Sequence, residues 1–444
     1  MIEYRNLRVA LLGAGSVGAQ VAALLLEHGP VLAERVGAGL ELVGIAVRDL
    51  TAERTTEIPR HLLTTDAESL ILGADIVIEL MGGLEPARSY ILQALNSGAD
   101  VITGNKALLA THGPELFEAA EQVGAQLYYE AAVAGAIPII RPLHDSLAGD
   151  QVKRILGIVN GTTNYILDRM HTVGATLEEA LASATELGYA EADPTADIEG
   201  YDAAQKAAIL ARIAFHTTIP LESVHREGIT GITLEQVEAA TKAGYVVKLL
   251  AICERLSIPP THPDADAVEG VSARVYPALV PIDHPLAAVH GPKNAVFIQA
   301  EAAGDLMFYG AGAGGRETAS AVLGDLVSAA RRHVIGGPGI AESTHANLPV
   351  LPMSRVTTRY QITLAVVDRP GVLAEIANLF SEHDVSVETL EQSVQSSREH
   401  PVPTATLVIG THEASESSLA ATVTSLAATS VVESVVSVLR VEGL

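Results

Sequence analysis

The chain is poor in the residues that build disulfide scaffolds, aromatic cores and basic surfaces. It has 444 residues but one cysteine, no tryptophan and 4% aromatic residues, so Cys253 has no partner in the chain for a disulfide or a thiolate metal cluster. Acidic residues outnumber basic ones by 53 to 28, and a net charge of −25 repels nucleic acid and anionic membranes. No uncharged apolar run of about 18 residues and no signal-peptide layout occur. We therefore expect a cytoplasmic protein that binds neither nucleic acid nor membrane.

The composition and the length predict a globular protein of several domains. Hydrophobic residues make up 48% of the chain and charged residues 18%, which excludes a disordered chain. A chain of this length exceeds what one hydrophobic core holds, so two or three domains are expected.

Short β-branched segments alternate with helical segments in the first part of the chain. From Leu7 to about Pro142, strands such as RVALLG, LELVGIAV and ADIVIEL are separated by helices such as QVAALLLEHG. This is the pattern of an α/β domain with a doubly wound parallel sheet. We assign residues 1–145 to this Rossmann domain and expect residues 304–333 to return to it.

The middle of the chain, residues 146–303, mixes the two kinds of segment. Helices are predicted for TLEEALASATELG, YDAAQKAAILARIAF and YVVKLLAICERL, and strands for VKRILGIVNG, SARVYPALV and AVFIQAEA. This mixture predicts an α+β substrate and dimerisation domain. Cys253 lies in the third helix, where we expect an inert core thiol.

A stretch rich in glycine and proline precedes the C-terminal part. Residues 334–356 lack either hydrophobic period, which predicts a linker. In residues 357–444 the segments follow a βαββαβ order, which predicts a ferredoxin-like domain. The apolar face of its first helix is expected to comprise Leu373, Ile376, Ala377 and Phe380.

A glycine motif, GAGSVG, lies directly between the first strand and the first helix. In this context Gly13 permits a tight turn, Gly15 lets backbone N–H groups approach a pyrophosphate, and Gly18 allows the helix to pack closely. The helix N-terminus favours the negative charge of the ligand. We therefore predict that NAD or NADP binds here. The predicted contacts in the motif are Gly13, Ala14, Gly15, Ser16, Val17 and Gly18.

The end of the second strand, VGIAVRD, bears on the choice between the two cofactors. Arg48 stands beside Asp49, and an arginine here holds the 2′-phosphate of NADP, whereas an acidic residue holds the ribose hydroxyl of NAD. The earlier position of Arg48 favours NADP. A solvated surface role for Arg48 and the use of both cofactors are the alternatives.

Two lysines and a group of acidic residues are candidates for chemistry. Lys106 follows the strand ADVIT, at the sheet edge where open α/β folds bind ligands. Asp202 and Lys206 are four residues apart on one helix face, where they form either a catalytic pair or a surface ion pair. Gly188 and Glu191 belong to the irregular acidic loop before that helix, which suits a substrate with an ammonium group. A lysine beside such a substrate can protonate an alkoxide.

Together these motifs resemble those of homoserine dehydrogenase. The similar segments are GAGSVG, the MGG at 81–83, GNKALLA, NGTTNYIL at 160–167 and GYAEADPTADIEGYDAAQK, and the resemblance covers roughly Leu7 to Arg332. The C-terminal part resembles an ACT regulatory domain through DRPGVLAEIANLF, a layout that monofunctional bacterial homoserine dehydrogenases share. The resemblance implies interconversion of L-homoserine and L-aspartate 4-semialdehyde with NAD(P), in the biosynthesis of threonine, methionine and isoleucine.

The resemblance also implies roles for individual residues. Lys206 is then the proton donor and acceptor at the reacting oxygen, Lys106 assists beside the nicotinamide, and Glu191 with Asp202 orients the substrate amino group. Gly312 is implied as a further cofactor contact, although Ala311 replaces the proline that the family has before GAG.

Three further features are implied by the same resemblance. A monovalent cation, sodium, is expected on backbone oxygens of the segment EAAVAGAIP, for which an ordinary tight loop is the alternative. The implied ligands are Glu130, Val133, Gly135 and Ile137. Threonine is the expected effector of the ACT domain, at Asp368, Pro370 and Gly371. The family and the apolar strands of the middle region predict a homodimer or a homotetramer.

Two other functions are weighed against this one. Another nicotinamide dehydrogenase of amino-acid metabolism would keep the glycine motif and Lys106 but would not turn over homoserine. A non-catalytic sensor of dinucleotide and amino acid would have no need of the set of Lys106, Glu191, Asp202 and Lys206. His144 and His171 join no metal-ligand or triad spacing, so we assign them no role.

Overall fold

The structure, a computed structural model, describes residues 5–54, 56–258, 268–337, 343–395 and 404–443. Its first part contains six strands and four helices that alternate along the chain. The strands are β1 (Leu7–Leu12), β2 (Leu40–Ala46), β3 (Leu63–Thr64), β4 (Ile76–Glu79), β5 (Asp100–Thr103) and β6 (Leu127–Tyr128). The helices are α1 (Ser16–Val36), α2 (Ala67–Leu72), α3 (Ala87–Asn96) and α4 (Lys106–Val123).

These six strands form one parallel sheet in the order β3-β2-β1-β4-β5-β6. This is the order of a dinucleotide-binding Rossmann sheet: successive strands are added on one side of β1 up to β3, and on its other side from β4 onward. One apolar core lies between the sheet and α1, and a second lies between the opposite face and α2, α3 and α4. The predicted doubly wound α/β fold is confirmed.

The middle part contains six further strands and six further helices. The helices are α5 (Gly161–Val173), α6 (Leu177–Glu186), α7 (Thr195–Ile198), α8 (Tyr201–Phe215), α9 (Leu234–Lys242) and α10 (Gly315–Ile335). The strands are β7 (Val152–Ile158), β8 (His225–Arg226), β9 (Tyr245–Ile258), β10 (Val268–Pro281), β11 (Lys293–Ala300) and β12 (Gly304–Ala311). Strands β12-β11-β7-β9-β10 lie side by side in this order as antiparallel neighbours.

The segment YVVKLLAICERL is strand β9, so its prediction as a helix is wrong. β9 is hydrogen-bonded to β10 along its whole length and to β7 on its other side. Apolar cores cover both of its faces, and a strand that is buried on both faces shows an unbroken apolar run instead of an alternation. Cys253 in this strand is buried, and burial raises the pKa of its thiol to about 12. The thiol is therefore protonated at neutral pH.

The segment 304–335 connects the two sheets. β12 belongs to the large sheet, whereas α10 packs against α1 and shares its core. Among the described residues, α1 is the one helix whose length and apolar composition would suffice to cross a membrane. Its buried side chains, such as Val21 and Leu25, pack instead on the six-stranded sheet.

The C-terminal part forms a βαββαβ unit, as predicted. Its elements are β13 (Thr357–Val367), α11 (Val372–Glu382), β14 (Val387–Gln395), β15 (Thr404–Thr411), β16 (Ala414–Ser415), α12 (Glu416–Ala428) and β17 (Val432–Val441). The buried face of α11 comprises Val372, Ile376 and Phe380. Leu373 and Ala377 are exposed, which corrects the predicted face, because Val372 directly follows the turn and takes the core position of the first helical turn.

The ACT-like unit continues the large sheet. β17 pairs with β13 on one side and, in parallel, with β10 on the other, at Ala278 with Arg440 and Leu279 with Val441. The chain that precedes β13 also lies on β10, because Val271 N–H donates to the Pro349 carbonyl and Leu351 N–H donates to the Val271 carbonyl. The last strand of the chain is thus a neighbour of the strands beside α8.

Candidate active site

Asp202 connects the two predicted lysines. Lys206 Nζ, one helical turn after Asp202 on α8, donates to Asp202 Oδ2 at 2.7 Å and to the Val159 carbonyl at 2.6 Å. Lys106 Nζ, at the first residue of α4, forms an ion pair with Asp202 Oδ1. The side chain of Lys206 is 10% exposed and that of Lys106 is 41% exposed, so one ammonium is enclosed and the other faces solvent. The structure brings together three of the predicted site residues.

Burial and charge act in opposite directions on these groups. Burial would raise the pKa of Asp202, but the ammonium groups of Lys206 and Lys106 outweigh it and hold this pKa far below its ordinary value. Burial lowers the pKa of Lys206 in spite of the Asp202 carboxylate beside it. A lysine whose pKa is lowered is easier to deprotonate, which general acid–base catalysis requires near neutral pH.

The position of Lys106 follows from the capping of α4. Asn105 accepts a hydrogen bond from Leu108 N–H at 3.2 Å and donates to the Gly83 carbonyl at 2.7 Å. Thr103 accepts from Asn105 N–H at 3.0 Å and donates to the buried Glu79 carboxylate at 2.6 Å. These bonds fix the start of α4 at the carboxyl edge of the parallel sheet, where α/β folds bind their ligands.

Two residues that the sequence analysis gave no role complete the group. Asn160 Nδ2, at the end of β7, donates to Asp202 Oδ2 at 2.9 Å and to Asp197 Oδ1 at 2.6 Å. Burial raises the pKa of Asp197 above its ordinary value, and the donated bond from Asn160 opposes this shift. The signal in the sequence was an asparagine directly before GTT, the typical N-cap of a helix.

The glycine motif has the close contacts that a dinucleotide loop needs. Gly13 has φ of +100°, and a Cβ atom on it would lie 2.6 Å from the Leu80 carbonyl oxygen. A Cβ atom on Gly18 would lie 2.1 Å from the Gly13 carbonyl oxygen. Gly15 and Ser16 are exposed at the N-terminus of α1, where backbone N–H groups and the helix dipole attract a phosphate.

A second glycine segment lies beside the first one. A Cβ atom on Gly315, which begins α10, would lie 2.8 Å from the Ser16 carbonyl oxygen. Gly312 in the same segment contacts Gly135, because a Cβ atom on Gly135 would lie 2.5 Å from the Gly312 carbonyl oxygen. The segment that leads from β12 into α10 therefore packs closely against the glycine motif and against the loop at Gly135.

Comparison with known proteins decides the family. The family model "Homoserine dehydrogenase" matches residues 138–327, "Homoserine dehydrogenase, NAD binding domain" matches residues 13–130, and "ACT domain" matches residues 360–430. Homoserine dehydrogenase from Corynebacterium glutamicum is 52% identical over 98% of this chain and 95% of its own length. The Mycobacterium tuberculosis enzyme is 53% identical over 99% of both chains. The chain belongs to the homoserine dehydrogenase family.

Solved structures agree with this assignment. The homoserine dehydrogenase of Thiobacillus denitrificans has a TM-score of 0.89 and 37% identity, with 99% of each chain covered. The Staphylococcus aureus enzyme at pH 7.5 has a TM-score of 0.74 and 31% identity. As a homoserine dehydrogenase, the protein is an NAD(P)-dependent oxidoreductase that interconverts L-homoserine and L-aspartate 4-semialdehyde, and it carries an ACT domain.

In this homoserine dehydrogenase, Gly188 and Glu191 take no part in the bonds that join the two lysines to Asp202. Gly188 has φ of +74° just after α6, and Glu191 is exposed on the loop that follows. Within the described part of the chain Glu191 makes no hydrogen bond and no ion pair. Asp197, from the same acidic segment, is the carboxylate that lies beside Asp202.

The end of β2 presents Arg48 to solvent. Arg48 is exposed, whereas the neighbouring Asp49 carboxylate accepts from the N–H and the hydroxyl of Thr51, both at 2.7 Å. These bonds lower the pKa of Asp49. Arg54 donates to the Asp49 carbonyl at 2.8 Å, so a second guanidinium borders the same turn.

The implied cation loop is enclosed by backbone. Val133 and Ile137 are buried, and Ala134 and Gly135 both have φ of +57°. The Glu130 carboxylate is occupied, because it accepts from the N–H groups of Ile139 and Ile140 at 2.6 and 2.7 Å and from Arg141 Nε at 2.9 Å. No group of three His, Cys, Asp or Glu side chains suited to a metal occurs in the described ranges. A cation here would therefore bind to backbone oxygens.

Proposed function

We propose that Lys206 exchanges the proton at the reacting oxygen of homoserine and that Lys106 stabilises the negative charge that develops there. The observation that carries this assignment is the Asp202 carboxylate, which joins both ammonium groups at the carboxyl edge of the Rossmann sheet. In homoserine oxidation neutral Lys206 accepts the hydroxyl proton as the hydride leaves the carbon. In the reverse direction its ammonium returns that proton. The nicotinamide, when bound, accepts or donates the hydride.

The test is the initial rate of homoserine oxidation with purified protein. We expect Lys206→Ala to lower kcat by about 100-fold or more, the range that a general acid–base group contributes. Lys242→Ala, at an exposed lysine on α9, is the matched control and is expected to keep the parent rate. A Lys206→Ala rate within about threefold of the parent, a loss below about 1 kcal/mol, would refute the assignment.

We propose that the substrate amino group binds at Asp202, and that Glu191, with the turn at Gly188, helps Asp202 to orient it. Asp202 stays ionised because its pKa is held low by the two lysines, and Glu191 has no partner among the described residues. Asp202→Ala is expected chiefly to raise KM for homoserine. If both KM and kcat were unchanged, Asp202 would not belong to the site.

NADP is the proposed preferred cofactor, held by the predicted glycine-motif residues, by Lys106 and by Gly312. The exposed guanidinium of Arg48 and the occupied carboxylate of Asp49 support a site for the 2′-phosphate. We expect Arg48→Ala to raise KM for NADP by about tenfold, the loss of one charge-assisted contact. KM for NAD serves as the internal control and should change little. An equal effect on both cofactors would contradict the assignment.

A monovalent cation, sodium, is proposed at the backbone oxygens of Glu130, Val133, Gly135 and Ile137. The enclosed loop with two consecutive left-handed residues and the approach of the Gly312 carbonyl support it. Sodium is expected to raise the thermal midpoint relative to choline at equal ionic strength. Equal midpoints in both salts would remove the site.

We further propose L-threonine as the feedback effector at the turn of Asp368, Pro370 and Gly371, and a homodimer or homotetramer in the cytoplasm. Pro370 and Gly371 are exposed, and Gly371 has φ of +97° at the start of α11. Titration calorimetry with L-threonine tests the effector, and light scattering tests the assembly. Absence of binding heat, or a monomeric mass, would reject the respective proposal.

A further inference from the structure

Both the oxygen and the nitrogen of the Asn160 side-chain amide are hydrogen-bonded within the site. Its oxygen accepts from Thr163 N–H at 2.9 Å and from the Thr163 hydroxyl at 3.0 Å, which caps α5. Its nitrogen donates to Asp197 and to Asp202. The reverse orientation would turn the amide oxygen toward two carboxylates, so the partners settle which end is which. Asn160 is buried, with 6% exposure.

The groups around Asn160 come from three helices and from the segment that follows β7. Asp197 lies on α7, Asp202 and Lys206 on α8, Lys106 on α4, and the Val159 carbonyl that accepts from Lys206 precedes Asn160 in the chain. Two carboxylates and two ammonium groups offset one another in charge. Asn160 adds no charge, yet it donates to both carboxylates, which would otherwise repel each other across a short distance.

We propose that Asn160 is a positioning residue of the reaction: it holds Asp202 against both lysines and, as a neutral donor between two carboxylates, keeps the cluster free of excess negative charge. The proton that Lys206 exchanges then leaves a cluster whose charges balance. This inference rests on the proposed role of Lys206. It assigns to the first residue of NGTTNYIL a function beyond the capping of a helix.

The variant Asn160→Asp distinguishes the capping of α5 from the positioning of Asp202. Aspartate is an equally good N-cap, so the bond from Thr163 N–H persists. The two donated bonds are lost, and a third carboxylate enters the cluster. We expect kcat/KM for homoserine to fall about 10- to 100-fold, the loss of a hydrogen bond to a charged group. The rising limb of the pH profile of homoserine oxidation should move to higher pH by about one unit, because excess negative charge retains the Lys206 proton.

Asn160→Ser supplies a second variant that is neutral. Its hydroxyl keeps a cap for α5 but cannot reach both carboxylates, so we expect a similar fall in kcat/KM without the upward movement of the pH profile. Asp66→Asn is the control, since it exchanges the same two residue types at the N-cap of α2, where Asp66 accepts from Ser69 N–H at 3.0 Å. It should leave both the rate and the profile unchanged.

The inference is overturned if folded Asn160→Asp or folded Asn160→Ser keeps the kcat/KM of the parent, because Asn160 would then be a helix cap only. A rising limb that stays in place in Asn160→Asp would also overturn it. These outcomes are distinct from a failure of the proposed function. If Lys206→Ala kept its activity, the rising limb of the pH profile would belong to another group, and the proposed function would be wrong. If Lys206→Ala is inactive while Asn160→Asp keeps the rate and the pH profile of the parent, only the role of Asn160 is refuted.

Discussion

Lys248 is a buried lysine that the reaction does not use. Its ammonium on β9 donates to Asn164 Oδ1 at 3.0 Å and to the Val289 carbonyl at 2.7 Å. Burial lowers its pKa to about 8, and the charge of Asp168 opposes this only in part. Asn164 also donates to the Gly291 carbonyl at 2.8 Å, so this charged group fastens the loop between β10 and β11.

The lowered pKa of Lys248 predicts a dependence of stability on pH. Between pH 8 and pH 10 the unfolded chain keeps the Lys248 proton while the folded protein releases it, so the free energy of unfolding rises with pH. We expect the parent to gain about 2 kcal/mol relative to Lys248→Met over this interval, or roughly 2 °C in thermal midpoint for a chain of this length. Calorimetry at both pH values measures it; equal pH slopes for the two proteins would show that Lys248 does not titrate there.

Among individual residues, the sequence predicts those whose partners are close along the chain. The pair Asp202 and Lys206 follows from helical spacing, and Lys106 follows from its place after a strand. The bond from Asn160 to Asp202 joins the end of β7 to the start of α8, and no local pattern indicates such a contact. Glu191 and Asp197 belong to one acidic segment, and only the fold shows that Asp197 shares the Asn160 side chain with Asp202.

The start of α1 gives a prediction at the level of an element. Gly18→Ala is expected to displace the Gly13 turn, because a Cβ atom would lie 2.1 Å from the Gly13 carbonyl oxygen. Binding of NADP should weaken by more than about tenfold, since the backbone can no longer approach the pyrophosphate. Gly29→Ala on the same helix is the control: its Cβ atom meets nothing within 4 Å. Titration of each variant with NADPH by fluorescence compares them.

The Gly29→Ala variant shows whether the effect is specific to the position of Gly18. Gly29 precedes Pro30, and proline disfavours helical backbone in a preceding residue that has a Cβ atom, which offsets the helix preference of alanine. This control should therefore bind as the parent does, with little change in stability. Parent-like affinity in Gly18→Ala would mean that the close contact at Gly13 is not needed for binding.

Elements were predictable where one face is buried and the other is solvated. The helices of the Rossmann part and the strands of the ACT domain have this form, and β13 alternates between buried and less buried residues along its length. β9 does not, because cores cover both of its faces, and its unbroken apolar run imitates a buried helix. The short strand β3 has two residues and no period to detect.

Ion pairs connect the ACT domain to the large sheet and couple the unfolding of the two parts. Glu442, just after β17, is 3% exposed and bonded to Arg154 Nη2 and the Tyr276 hydroxyl, with the fully buried Arg274 3.8 Å away. On the same strand Arg440 joins Glu416 of the ACT domain to Glu227 beside β8, at 2.8 and 3.0 Å. The two parts are therefore expected to unfold together.

Glu442→Gln tests this coupling. It neutralises one of the two carboxylates, Glu254 and Glu442, that pair with both Arg154 and Arg274, and we expect a loss of about 3 kcal/mol in the free energy of unfolding. Calorimetry should show one transition at a lower temperature. Glu433→Gln, at an exposed position of β17, is the control and should match the parent. Two separate transitions in the parent would show that the domains unfold independently.

The pairing of β17 with β10 also matters while the chain is being made. β10 ends at Pro281, and β17 begins only at Val432, so the ribosome releases the two partners far apart in time. At about 5–20 residues per second the delay is on the order of ten seconds, much longer than a hairpin needs to form. During that interval Ala278 and Leu279 of β10 lack their partner strand, whereas Arg274 already has Glu254 of β9 as a partner. We therefore expect this short edge of β10 to be open to wrong pairing during synthesis and protected by β17 afterwards.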